Sequence, residues 1–103
     1  MKTIKVKEWH EVPKNYTGIV EYDNGTKYWR LNGKLHRIDG PAVEYINGTK
    51  IWYLNGDRHR IDGPAIEYIE SGCRITEYWI NGKEVTKEAQ EVLYGLYKLK
   101  GIL

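Results

Sequence analysis

Two histidine–aspartate pairs have the residue types and spacing that suit acid–base chemistry or metal binding: His36 with Asp39, and His59 with Asp62. Each pair sits in the same seven residues, His-Arg-Ile-Asp-Gly-Pro-Ala, at 36–42 and again at 59–65. A catalytic centre usually needs one asymmetric constellation of groups in distinct roles. An identical set in two equivalent places is what a structural repeat produces. Zinc needs four convergent ligands, or three and a water. Three histidines spread along the chain and the lone Cys73 supply them poorly. No nucleophile elbow, phosphate loop or paired-carboxylate signature occurs. The chain therefore reads as a non-enzyme without cofactor or metal. Its histidines are expected to pack against tryptophan, and its aspartates to bond the following turn.

Binding chemistry is the other candidate. Arg30, Arg37, Arg58 and Arg60, with Tyr28 and Tyr53 expected to be exposed, are the types that stack on bases. Interleaved Glu21, Glu44 and Glu67 cut the positive field such a surface needs, so nucleic acid or a nucleotide is the alternative and a protein partner is favoured. Ile51 and Tyr53 should lie opposite a tryptophan stripe, as a partner site or a second core layer. The candidate partner surface is thus Tyr28, Arg30, Arg37, Ile51, Tyr53, Arg58 and Arg60. Self-association stays open. Asn15, Asn24 and Asn47 each start a glycosylation sequon, but they read more simply as a loop and two hairpin turns.

The elements that must position these residues come from a repeat. Tyr22, Tyr45 and Tyr68 open three copies, 23 residues apart. Such a period marks units that bury an apolar face only against their neighbours. Asn24-Gly25 and Asn47-Gly48 predict two-residue type I′ hairpin turns. That arithmetic sets Val43 opposite Trp52 and Tyr45 opposite Lys50. One face then carries Val20, Tyr22, Trp29 and Leu31, followed by Val43, Tyr45, Trp52 and Leu54, and this tryptophan face is expected to be the core. A second Asn-Gly in each unit, at 32–33, 55–56 and 81–82, reverses the chain again. It places His36 opposite Trp29 and His59 opposite Trp52. The third unit departs: Glu70-Ser-Gly-Cys-Arg74 replaces the tight turn, Tyr78 takes the Trp52 position and Val85 that of His59.

Residues 1–16 read as an N-terminal strand over 3–9 with Ile4 and Val6 inward, then a loop. Residues 17–85 are the hairpin repeats, and 86–103 a C-terminal helix. Thr86 suits its N-cap, and Ala89, Val92, Leu93, Leu96 and Tyr97 recur at helical spacing. Gly101 can end it, and Gly95 weakens it by about 1 kcal/mol relative to Ala. The fold expected is a single, mainly β domain: an antiparallel meander of tandem hairpins with one C-terminal helix covering an end or face.

Composition narrows the classes further. Charged residues make up 29% and the net charge is +2, too little for a strong attractive field toward nucleic acid. No stretch approaches the roughly 18 apolar residues of a membrane span. The N-terminus holds no long apolar run of the signal-peptide kind, and Cys73 has no internal partner, so a reducing cytoplasm is expected. Nine Tyr and four Trp without a single Phe suit a thin sheet, where one end of each ring is wet.

The pattern Tyr-x-Asn-Gly-Thr-Lys-x-Trp-x-Leu-Asn-Gly, followed by His-Arg-Ile-Asp-Gly-Pro-Ala, resembles repeats in small proteins of tailed bacteriophages and large DNA viruses. It is similar to the MORN-type β-hairpin repeat, over about Gly18 to Val85. The resemblance implies an interaction module. It also implies a phage-encoded accessory protein that binds a host protein, with inhibition of a host defence system as one consequence.

Overall fold

Asn-Gly turns of two kinds set the architecture. The computed structural model describes residues 1–101. Strands β1 (Thr3–Val6), β2 (Gly18–Tyr22), β3 (Lys27–Leu31), β4 (Lys34–Leu35), β5 (Val43–Glu44) and β6 (Lys50–Ile51) are followed by β7 (Tyr53–Leu54), β8 (Asp57–Arg58), β9 (Ile66–Glu70), β10 (Cys73–Ile80) and β11 (Lys83–Val85). Helix α1 spans Lys87–Leu99. The chain is mainly β, a mostly antiparallel sheet with one C-terminal helix.

At Asn32-Gly33, Asn55-Gly56 and Asn81-Gly82 both residues hold positive φ, for example 51° and 81° at the first. This is the geometry that makes a two-residue hairpin and that Asn and Gly best tolerate. The expected pairing follows: the His36 amide donates to the Trp29 carbonyl (3.0 Å) and the His59 amide to the Trp52 carbonyl (3.2 Å). Tyr78 likewise pairs with Val85.

Asn24-Gly25 and Asn47-Gly48 differ from expectation. Only Gly25 (φ 91°) and Gly48 (φ 90°) are left-handed there. Asn24 instead accepts the Thr26 amide on its Oδ1 (2.9 Å), and Asn47 the Thr49 amide (3.0 Å). This local bond is a known alternative to a left-handed Asn. The loops are therefore three residues long, closed by the Tyr22 amide donating to Thr26 and the Tyr45 amide to Thr49. One extra loop residue shifts the register by one, and a one-residue shift moves side chains to the opposite face. Val43 pairs with Ile51, not Trp52, and Glu44 rather than Tyr45 pairs with Lys50. Val20 pairs with Tyr28.

The core moves with the register. Val20, Tyr28, Val43, Ile51 and Ile66 form one cross-strand row, and Val20 and Val43 are its fully buried members. The expectation that the tryptophan face is the core is thus corrected: Trp29 and Trp52 are half-buried on the other face. There they alternate with Ala42 and Ala65, both fully buried, and the Trp29 amide donates to Ala42 (2.8 Å) and that of Trp52 to Ala65 (2.7 Å). A methyl beside each indole leaves room for the ring.

The main sheet runs β1-β2-β3-β5-β6-β9-β10-β11, with β4 branching from β3 and β7–β8 apart as a two-stranded ribbon. Strand β3 serves twice, its first half pairing with β5 and its last two residues with β4. The ribbon tips bond to one another from unit to unit: Gly56 donates to Leu35 (2.8 Å) and Gly82 to Arg58 (2.9 Å). The expected meander thus carries a second, shorter ladder, in a slab 43 × 36 × 19 Å.

The two ends also depart from expectation. The first strand stops at Val6, and Trp9–Glu11 form a turn of 3-10 helix in which the Glu11 carboxylate accepts the amides of Lys7 and Glu8. Those two bonds, the Glu8 one first, hold the Glu11 carboxyl below its usual range. Strand β1 pairs with β2 in parallel, not as part of a meander. At the other end Thr86 caps α1 as expected, its Oγ1 accepting the Ala89 amide (3.1 Å). The helix stops before Gly101 (φ 71°), and the last two residues of the expected 86–103 segment lie outside the described residues. Among the described residues, no helix is long and apolar enough to cross a membrane.

Candidate functional site

The duplicated heptapeptide is a clamp in which six of seven residues have a structural duty. Arg37 lies over the Trp29 ring with its Cζ 4.1 Å from the centroid, and Arg60 lies over Trp52 at 4.0 Å. Arg37 Nε donates to Asp39 (3.0 Å) and its Nη1 to the Pro41 carbonyl (3.1 Å). Arg60 repeats this with Asp62 (2.9 Å) and Pro64 (3.1 Å). The aspartates were expected to bond the following turn; they receive the arginine instead, and the arginine bonds the turn. Gly40 and Gly63 are required by space, since a Cβ on either would stand 2.7 and 2.8 Å from the guanidinium carbon. Ala42 fits between Trp29 and Trp52, and Ala65 between Trp52 and Tyr78.

The histidines tie one unit to the next. His36 Nδ1 accepts the Asn55 amide (2.9 Å), and His59 Nδ1 accepts the Asn81 amide (3.0 Å). In the first unit Thr17 Oγ1 does the same for Asn32 (2.9 Å). The bond needs the neutral imidazole, because a protonated ring nitrogen cannot accept. Burial holds the His59 pKa below its ordinary value, with the Asp57 charge opposing. Among the described residues, no three His, Cys, Asp or Glu side chains converge as metal ligands do.

Ile38 and Ile61 are the residues the clamp leaves over. Ile38 is 80% exposed, although it is large and apolar. It stands between two grooves on the tryptophan face. One, of about 500 Å³, is lined by Ile19, Trp29, Leu31 and Ile38. The other, of about 450 Å³, is lined by Ile38, Trp52, Leu54, Ile61 and Tyr94. Asp39 borders both, and Asp62 the second. The grooves are one repeat apart. Two strand spacings of the main sheet separate them, about 10 Å at the usual distance between strands.

The seven residues proposed from sequence do not share one surface. Tyr28 and Ile51 sit in the buried row on the far face. Tyr28 packs edge-on against Tyr22 and Tyr45, and burial, helped by a hydrogen bond with Tyr45, pushes its phenol up to about 12. Arg30 caps the first ribbon by donating to Gly33 (3.1 Å). Tyr53 and Arg58 pair across β7–β8, and Arg58 lies over Trp79 (4.9 Å). Of the seven, Arg30, Arg37 and Arg60 line the grooves, and Arg37 and Arg60 are spent in the clamp, with Glu44 and Glu67 beside them at 3.6 and 3.8 Å. Tyr28 and Tyr53 are half-buried, not exposed.

Sequence reasoning missed Ile38, Ile61 and Gln90. Gln90 on α1 is buried (4% exposed), and its Nε2 donates to the carbonyls of Arg60 and Gly63, both at 2.6 Å. The isoleucine was legible as an apolar residue inside a turn-rich element. The glutamine carried no signal, since its partners lie 27 and 30 residues away. Compared with protein-family models, with curated proteins and with solved structures, the chain matches none.

Proposed function

We propose that this chain is a non-enzymatic protein-binding module, a cytoplasmic accessory protein of viral origin that docks a host protein through its tryptophan face. The observation that supports this most is Ile38: in a motif where every other residue holds the fold, a large apolar side chain is left in water between two equivalent grooves. Exposed apolar groups that line a groove are what a partner covers. The groove pitch also suits a partner. About 10 Å matches three residues of polyproline II, which returns a side chain to the same face each turn and docks in aromatic-lined grooves. Viral origin and a host target, with inhibition of a defence protein as one outcome, rest on the repeat resemblance.

The test is capture from host lysate at moderate salt with the wild-type chain and with Ile38→Asp. One defined protein retained by the wild type and lost from the variant is the expected result. The overturning result is capture indifferent to Ile38, or recovery of nucleic acid with an affinity falling steeply as salt rises.

A further inference from the structure

Helix α1 has a second apolar face that the sheet does not use. Gln90, Leu93, Tyr94 and Tyr97 turn toward the protein and are buried or half-buried. Val92 (63% exposed), Leu96 (46%) and Leu99 (86%) form a stripe on the outer side, at the four- and three-residue spacing that lines up on a helix. Gly95 lies in the middle of that stripe. It is exposed, and a Cβ there would meet nothing within 4 Å. Nothing within the protein therefore requires a glycine at this point, although Ala would make the better helix. A glycine flanked by large apolar groups lets a second helix backbone approach closely.

The charges around the stripe select the occupant and its direction. Lys87, Glu88 and Glu91 are exposed in the first half of the helix, Lys98 is exposed in its last turn, and Lys100 caps it. Glu91 and Lys98 are seven residues apart, so they project from nearly the same flank, on either side of Gly95. In an antiparallel pair of such helices like flanks meet. Glu91 of each copy then faces Lys98 of the other, and Val92 lies near Leu99 of the second copy. A parallel pair would leave each Glu91 about 10 Å along the axis from Lys98 of the other copy. We propose that the chain self-associates as a two-fold dimer through antiparallel packing of α1 on α1, crossing at Gly95. A two-fold contact of this kind is self-complementary, which one helix with opposite charges about its midpoint satisfies by itself. The groove at Trp29 holds no residue of α1, so it stays outside the pairing, the dimer would present it twice, and failure of one proposal leaves the other standing.

Sedimentation equilibrium of the full chain over a wide concentration range tests this. A reversible monomer–dimer equilibrium is expected. Glu91→Lys and Lys98→Glu should each weaken the dimer at least tenfold through like-charge contacts, while circular dichroism stays unchanged. The double variant Glu91→Lys/Lys98→Glu should restore it, because the exchanged charges again face each other. Leu96→Lys should give monomer with the same spectrum. The proposal fails if the wild type is monomeric throughout, if the double variant does not recover, or if the helix stripe binds anionic vesicles while the chain stays monomeric.

Discussion

The clamps at 36–42 and 59–65 have one sequence and the same internal bonds, yet their surroundings differ. Ile38 and Asp39 stand in solvent, at 80% and 85% exposure. Ile61 is half-buried, because α1 lies against the second copy with Gln90 bonded to its backbone and Tyr94 beside it. The clamp geometry is therefore local, written into seven residues. Its accessibility is set by whatever follows in the chain. The first copy is open and suited to a partner, and the second doubles as the seat of the helix.

The largest expected difference between the two comes from their tryptophans. Trp52→Ala removes the ring under Arg60 and the wall against Tyr94, and should destabilise by about 3 kcal/mol, near the low end for a large aromatic. Trp29→Ala, half-buried beside an open groove, should cost less, about 2 kcal/mol, because less apolar surface is lost from burial. Urea unfolding of both variants measures this, and equal losses would mean that α1 adds nothing to the second clamp.

Gln90→Ala sharpens the same point. It leaves the Arg60 and Gly63 carbonyls buried without donors, so about 2 kcal/mol should be lost. Amide exchange should speed up at the second clamp and along α1 and remain unchanged at the first. Equal acceleration at both would show that the two clamps open together.

The His59 bond gives a pH dependence. Since burial keeps the folded pKa of His59 below its unfolded value near 6.5, the unfolded chain binds the extra proton first as pH falls. The contribution of His59 is thus complete above about 6.5 and is lost as pH drops below it. Unfolding midpoints measured down that range should fall less steeply in His59→Gln than in the wild type. An unchanged slope would sink the neutral, accepting role of His59.

The smallest effect should be that of Ile38→Asp, within about 0.5 kcal/mol as for exposed positions without structural partners. The equivalent change at Ile61 should cost measurably more, because α1 half covers it. If thermal melts show both as neutral, the helix does not shield the second copy.

How much of this was legible differs by feature. The repeat was readable because the same residues recur at a fixed step. Asn-Gly is the strongest short signal for a two-residue turn, and three of the five Asn-Gly pairs form it. From them the His36–Trp29 and His59–Trp52 pairing follows by counting. The Thr86 cap is a bond three residues long. The apolar helical pattern was readable too, though not its division into an inner and an outer face.

Register and burial were decided elsewhere. Asn24 and Asn47 are followed by Gly, as Asn32 and Asn55 are, yet their side chains bond the amide two residues on and keep them out of the left-handed region. That choice adds one residue to each loop and exchanges the faces of the sheet, so the valine and tyrosine row is buried and the tryptophans become the outer layer. The parallel seating of β1, the stacking of Arg37 and Arg60 on tryptophan and the anchoring of Gln90 all join groups whose partners come from other turns of the chain. Local preference determined the turns, the period and the helix cap. Which face is dry, and which isoleucine stays wet, depended on long-range packing that no short stretch encodes.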